Sequence, residues 1–475
     1  MERRYIERLD RYTTAMRNEQ PDRVPIRPFA AEFAGVYAGY TCQELAHDYQ
    51  RGFAAVRKCA ADFDWDAVVP NMVATWTGMT QAMGLRYYMI PGIDVPANVG
   101  HQYREPAPEE AWMKPDEYDA LIEDPTGYLY NVWLPRVAAP LSPIGEPVTF
   151  EHNVSLVKGA MAMMQFFGAW GAQEAQLRAE SGSVSALAGM LRAPLDLLAD
   201  KLRGYYGLVE DLHERPDKVL AACEALMPHL ANFALATADP NKNVPIGFWM
   251  HRGCVPFINY DHFENTFWPT LKPIVQELWA AGHQTLFYAE GNWDFHLNAF
   301  AELPERSIVY HVDQGDIFKV HDVLGDKFCL SGGIPNYLLA FGTPDEVRQS
   351  CKQVIDGVAR DGGYIMDANA IIQNDAKVEN MRAMTEATLQ YGVYSQGHSA
   401  PADAADAAKP SPEDARPGDF VPPATSTRPP GVCTPWAEFR AGLPRIYGDE
   451  KLCGDVWQSV DALGAMYVWW IALAF

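Results

Sequence analysis

Gln284-Thr-Leu-Phe-Tyr-Ala-Glu290, Ser307-Ile-Val-Tyr-His-Val-Asp313, Lys327-Phe-Cys-Leu-Ser-Gly332 and Tyr364-Ile-Met-Asp367 follow one another along the chain, with helical stretches between them. Each is a short aromatic or branched apolar run bounded by polar or turn-forming residues, as a strand buried on both faces requires. Thr343-Pro344-Asp345-Glu346 supplies an N-cap, a proline at the first helical position and a capping-box glutamate for the helix before the last run. Gly362-Gly363 ends that helix. Strand and helix in alternation predict a parallel sheet with crossover helices.

Working outward, the same pattern gives strands over 24–29, 67–71, 148–152 and 244–251. Eight strands predict an α/β fold, a (β/α)8 TIM barrel. The expected organisation is an N-terminal helix over 1–20 and a barrel over 21–394, with 153–243 as a purely helical excursion. From Ser395 proline, alanine and aspartate dominate, so 395–435 is expected to be a linker. Residues 436–475 recover Trp, Tyr and Leu and are expected to dock.

The 475 residues carry 61 acidic and 38 basic side chains, a formal charge of −23. This balance disfavours nucleic-acid and anionic-membrane partners, because few cations are present to replace condensed counterions. With 48% hydrophobic and 21% charged residues, the bulk of the chain is not disordered. Eight cysteines lie scattered without a Cys-x-x-Cys pair, neither a disulfide framework nor a zinc ribbon. The charged start is unlike a signal peptide and the apolar stretch 462–475 is too short to span a bilayer, so the expected location is the cytoplasm.

In such a barrel, chemistry sits where strands end. His251, Glu290 and Asp313 each end an unusually apolar strand and are the expected catalytic set. Buried carboxylates and imidazoles serve as acids and bases near neutral pH, and the same three side chains also suit a divalent metal. Asn71, His152, Arg252, Asn292 and Asp367 occupy further strand ends, while Trp76, Met79, Met250 and Tyr288 are expected to wall a flat apolar ligand.

Asp22-Arg-Val-Pro, Phe63-Asp-Trp-Asp, Ala289-Glu-Gly-Asn, Val323-Leu-Gly-Asp-Lys, Leu330-Ser-Gly-Gly-Ile-Pro, Phe341-Gly-Thr-Pro-Asp-Glu-Val and Glu379-Asn-Met-Arg-Ala-Met together resemble the uroporphyrinogen decarboxylase superfamily over about residues 20–394. The resemblance implies a (β/α)8 barrel. The arginines with which true decarboxylases hold porphyrinogen carboxylates correspond to Ala30 and Ala34, so the resemblance is closer to the corrinoid-dependent methyltransferases. Zinc-dependent members of that branch resemble each other in a His-x-Cys-Gly segment; here it reads Tyr288-Ala-Glu290-Gly, which puts zinc in doubt. No Asp-x-His-x-x-Gly cobalamin signature occurs, so cobalamin would arrive on a partner corrinoid protein.

The resemblance thus implies a methyltransferase subunit moving a methyl group between a corrinoid protein and a small aromatic, phenolic or steroidal substrate, as in O-demethylation. Two alternatives stand beside it: a cofactor-independent decarboxylase or lyase of a small acid, and a non-catalytic subunit of a methyl-transfer complex. Substrate, direction of transfer, bound metal and oligomeric state are open at this stage.

Overall fold

The computed structural model describes residues 1–69, 76–86, 88–142, 145–395, 400–403 and 427–474. In chain order the strands are β1 (Ala67–Val68), a hairpin of β2 (Tyr88–Met89) and β3 (Gln102–Tyr103), then β4 (Val184–Ser185), β5 (Met190–Arg192), β6 (Ile246–Met250), β7 (Thr285–Ala289), β8 (Ile308–Val312), β9 (Cys329–Gly332) and β10 (Tyr364–Ile365). Strands β5 to β10 form one parallel sheet in sequence order.

Backbone hydrogen bonds continue that sheet into a ring. Residues 24–30 join β10 through Arg27 N–H to the Met366 carbonyl (3.1 Å) and Met366 N–H to the Pro25 carbonyl (2.9 Å). Asp66 N–H donates to the Ile26 carbonyl (3.1 Å), and β1 pairs in parallel with β4. Ala188 N–H then reaches the Pro245 carbonyl (3.0 Å) beside β6. Strands β4 and β5 are therefore two halves of one stave, broken at Gly189, whose φ of +80° suits glycine alone. The result is the α/β barrel.

The third stave departs from expectation. Residues 148–152 open the helix Phe150–Glu180 instead, with Thr149 accepting from the His152 N–H as its N-cap. The real stave, 184–192, reads Val-Ser-Ala-Leu-Ala-Gly-Met-Leu-Arg and lies inside the stretch expected to be only helical. Small residues and a central glycine remove the β-branched signal on which strands are recognised.

Pleating divides the core in two. Leu286, Tyr288, Val309, Cys329 and Ile365 fill the barrel interior with Ala67 and Val184, whereas Phe248, Met250, Phe287 and Tyr310 pack outward under the helices. The N-terminal helix Glu2–Met16 covers one end: the Tyr12 hydroxyl donates to the Ala186 carbonyl (2.9 Å) and Gln284 Nε2 to the Met16 carbonyl (2.7 Å). Asp66 is buried at that end between Arg11 (2.6 Å) and Arg23 (2.7 and 2.8 Å), at the amino ends of the strands, where conserved chemistry is not expected and stability is served.

The last helix, Glu450–Ala474, returns to the barrel. Residues 467–473 are buried, with Trp469 Nε1 donating to Thr126 Oγ1 (3.1 Å) and Trp470 against Phe166. Among the described residues one helix, Pro216–Thr237, is long and apolar enough to cross a membrane, and most of it is inside the protein core.

Candidate active site at the barrel mouth

Register places Met250 beside Ala289 and Ala289 beside Val312. The next residues, His251, Glu290 and Asp313, therefore leave three adjacent strands at their carboxyl ends, the face on which barrel enzymes do chemistry. A cavity of about 220 Å³ opens there. Phe29, Leu286, Trp249 and Tyr288 wall it from the barrel, the hairpin contributes Tyr88 and Tyr103 with His101, and Leu473 of the last helix closes one side. Glu32, Arg192 and Glu290 supply charge. Its aromatic wall is ordered: Trp249 stacks on Tyr288 at 4.1 Å and 14°, and Tyr288 on His311 at 4.5 Å and 15°, with the Phe29 ring edge-on at 4.7 Å from Tyr288.

Of the three expected catalytic residues, Glu290 alone faces this cavity, its Oε2 accepting from Trp249 Nε1 at 2.7 Å. Asp313 shapes the turn behind it, accepting the Gly291 N–H at 2.7 Å. A side chain at Gly291 would meet Cys254 Sγ at 2.6 Å, and its φ is +95°, so this turn needs glycine. Burial pushes the Asp313 carboxyl up to about 6.

His251 belongs to an ion cluster instead. Its Nε2 lies 2.9 Å from Asp200, a carboxylate that also binds Arg192 Nη1 (2.6 Å) and Arg252 Nε (2.9 Å). Burial opposes charge on both partners, yet opposite charge outweighs it: the neighbouring cations hold the Asp200 carboxyl below its ordinary value, and the carboxylates, Asp200 first, raise His251 above its own. Asp200 and the adjacent Lys201 sit in a π-helical turn, Leu198–Leu202, where both are buried. One turn earlier Asp196 accepts the Arg252 N–H (2.7 Å), and burial lifts its carboxyl to about 6.

On the far side of the Trp249–Tyr288–His311 stack, Asp367 accepts N–H bonds from Phe29 (3.2 Å) and Ala368 (2.7 Å). Arg27 is 3.4 Å away. His311, bonded to Ser331 Oγ (2.9 Å) and the Asn369 carbonyl (2.6 Å), is driven below its ordinary range by burial and then by Arg27. Burial carries Asp367 up to about 7, partly offset by Arg27.

The remaining expected ligand contacts divide. Tyr288 lines the cavity. Asp367 and Arg252 stand behind its walls, the guanidinium of Arg252 lying over Tyr205 and Phe257. Met250 and Met79 are outward-facing core residues. Asn292 sits in the loop beyond, with Oδ1 accepting the Asp294 N–H (3.0 Å). His152 caps a helix and pairs with Ser142. Trp76 stacks on Phe166 at 5.7 Å and faces a separate flank cavity of about 710 Å³, together with Phe167, Trp170 and Trp470. Asn71 lies outside the described residues. The larger flank cavity brings few titratable groups together, so convergence of chemistry rather than volume selects the barrel mouth.

Sequence reasoning missed Asp200, Lys201, Arg192, Tyr88, His101 and Tyr103. Arg192 hides at the end of the unrecognised stave, and the tyrosines in strands of two residues each, below any periodicity signal.

The donor set is a poor fit for zinc. Glu290, set by the sequence resemblance at the place of a thiolate, is a carboxylate, and burial pushes the nearby Cys254 thiol up to about 12 while its hydrogen goes to the His251 carbonyl (3.4 Å). Among the described residues no three His, Cys, Asp or Glu side chains group as metal ligands.

The family model described as "Uroporphyrinogen decarboxylase (URO-D)" matches residues 173–391, which include β4 to β10 and the Asp200, His251, Glu290 and Asp313 positions. Over residues 173–391 the chain is similar to the uroporphyrinogen decarboxylase family. Its barrel is the fold found here. A solved structure of a methyltransferase from Methanosarcina mazei superimposes with a TM-score of 0.52 at 16% identity, covering 80% of this chain and 98% of that one. At that identity the likeness concerns the fold. None of the curated proteins matches the sequence.

The cavity is small for a porphyrinogen. Ala30 and Ala34, which the sequence resemblance sets at the places of the decarboxylase arginines, are buried and carry no charge, and Arg192 is already committed to Asp200. A volume of about 220 Å³ is below the roughly 300–1,000 Å³ of drug-sized pockets, matching one ring better than four.

Proposed function

We propose that the protein is a catalytic methyltransferase subunit that moves a methyl group between a corrinoid carried on a partner protein and a small, single-ring phenolic substrate. The observation that carries this reading is the cavity: an ordered aromatic wall ending at Trp249, the Glu290 carboxyl beside it, and, among the described lining residues, Arg192 as the one arginine or lysine, already paired with Asp200. A flat ring placed on the Trp249 face would continue the stack of Trp249, Tyr288 and His311. Likeness in fold to the Methanosarcina mazei methyltransferase supports the same branch.

Methyl transfer to or from a phenolic oxygen requires a proton to be removed from or delivered to that oxygen. Glu290 is placed for this, held by Trp249 Nε1 and backed by the Gly291 turn on Asp313. His251 and Asp200 fix the rim without touching the cavity. Glu290→Gln is expected to lower turnover by about 10²–10⁴-fold with a methylated corrinoid protein and a phenol panel. Turnover close to wild type in that variant would remove Glu290 from the chemistry. A lyase would instead release carbon dioxide without any corrinoid protein, so the same assay separates the two activities.

A further inference from the structure

Strand register in the hairpin sets Tyr88 directly opposite Tyr103. Cross-strand partners project from the same face, and here that face is the cavity wall. Their ring centroids are 5.2 Å apart. Behind them lies a row of nitrogen donors. Lys201 Nζ donates to the Tyr88 hydroxyl at 3.1 Å, and Arg192 Nη2 donates to the Tyr103 hydroxyl at 2.8 Å. Tyr88 in turn hydrogen-bonds Tyr103. The π-helical turn makes this possible, because it turns both Asp200 and Lys201 into the interior, one to hold Arg192 and the other to hold Tyr88. The Arg192 Nε is occupied by the Leu473 carbonyl at 3.0 Å, which fixes the guanidinium plane.

A hydroxyl that accepts from two donors has its own proton left to give. Tyr103 accepts from Arg192, so its hydroxyl keeps one lone pair for Tyr88 and its own proton for a ligand when Tyr88 is the donor of their mutual bond. We propose that Tyr103, with Tyr88 hydrogen-bonded behind it, is the donor site for a hydroxyl or phenolate oxygen of the ligand in this cavity, making the ligand an oxygen-bearing ring rather than a thiol or an amine. Tyr103 would touch the ligand; Lys201 and Arg192 are positioning residues that polarise it. Donors aimed at one point from a rigid frame are how proteins stabilise a developing oxyanion.

The surrounding charge agrees. Arg192, Arg252 and His251 stand against Asp200 on the donor side. Lys201 is depressed by burial and then by Arg192, and His101, down to about 4, is neutral. Asp196 lies further back, lifted to about 6. Across the cavity stand Tyr288, Glu290 and Glu32, the last raised by burial to about 6. A phenolate oxygen therefore belongs at the tyrosine end, and the proton it exchanges with Glu290 would cross the cavity through a bridging water.

This assignment rests on taking the cavity as the substrate site, not on methyl transfer. The test uses the full chain with 4-nitrophenol and its hydroxyl-free counterpart nitrobenzene, followed by tryptophan quenching and by phenolate absorbance across pH. Nitrophenol is expected to bind at least tenfold more tightly, with its bound ionisation shifted downward by about one pH unit. Tyr103→Phe should erase both the preference and the shift while leaving nitrobenzene affinity unchanged, which also certifies the fold. Lys201→Met should reduce the shift and leave nitrobenzene binding alone. Equal binding of the two probes by wild type, or an undiminished preference in Tyr103→Phe, would overturn the assignment. A normal preference without methyl transfer from any corrinoid protein would overturn the methyltransferase reading instead.

Discussion

Asp200 and Asp367 are both fully buried in one barrel, and burial acts on them in the same direction, yet they end in opposite states. Asp200 has three cationic partners within hydrogen-bonding distance. Asp367 has two backbone N–H groups and a single guanidinium at 3.4 Å, while the imidazole nearest to it is held neutral. One corner is a permanently ionised frame beside the cavity; the other keeps its proton until near neutrality behind the aromatic stack. Desolvation sets the cost of charge, and the count of well-placed cations decides whether that cost is met.

The sharpest way to break the comparison is Asp200→Asn. Two buried cations, Arg192 and His251, and the half-buried Arg252 would lose their anion, at a cost of about 3–5 kcal/mol. A thermal midpoint within a degree of wild type would show that the cluster is not the frame described. Asp367→Asn sharpens it through pH. A carboxyl at about 7 in the fold and roughly 3.9 unfolded binds more protons in the folded state between those values, so its contribution to stability falls as pH rises through that window. Asp196, Asp313 and Glu32, each near 6, act with the same sign. Asp200, held low, acts oppositely and only in acid. Urea midpoints at pH 5 and 8 should therefore differ less in Asp367→Asn than in wild type; an unchanged difference would assign the proton elsewhere. The smallest effect is expected in the flank cavity, where Trp170→Leu should leave nitrophenol affinity within about twofold of wild type, and a larger loss would move the ligand site there.

Legibility followed the same physics. Strands β6 to β10 announced themselves because staves buried on both faces must be continuous apolar runs, and the helix Pro344–Val358 because its cap obeys local rules. The stave 184–192 was silent, since alanine and glycine fit there by closeness of packing rather than by propensity. Residues 148–152 were misleading, since Val148, Phe150 and His152 alternate like a strand while Thr149 caps a helix. At the site, Glu290 and Tyr288 could be placed because they follow a clear strand. Asp200 and Lys201 could not, because a π-turn breaks the helical period by which an inward face is recognised.

Phe29 and Leu473 come from near opposite ends of the described chain and face one hollow, and the Leu473 carbonyl holds Arg192 in place. Seating of the final helix and occupancy of the hollow are thus a single linked equilibrium: whatever enters tightens the helix, and whatever loosens the helix empties the hollow. Slowed amide exchange over 467–473 would then serve as a reporter of filling, read at a distance from any reacting atom.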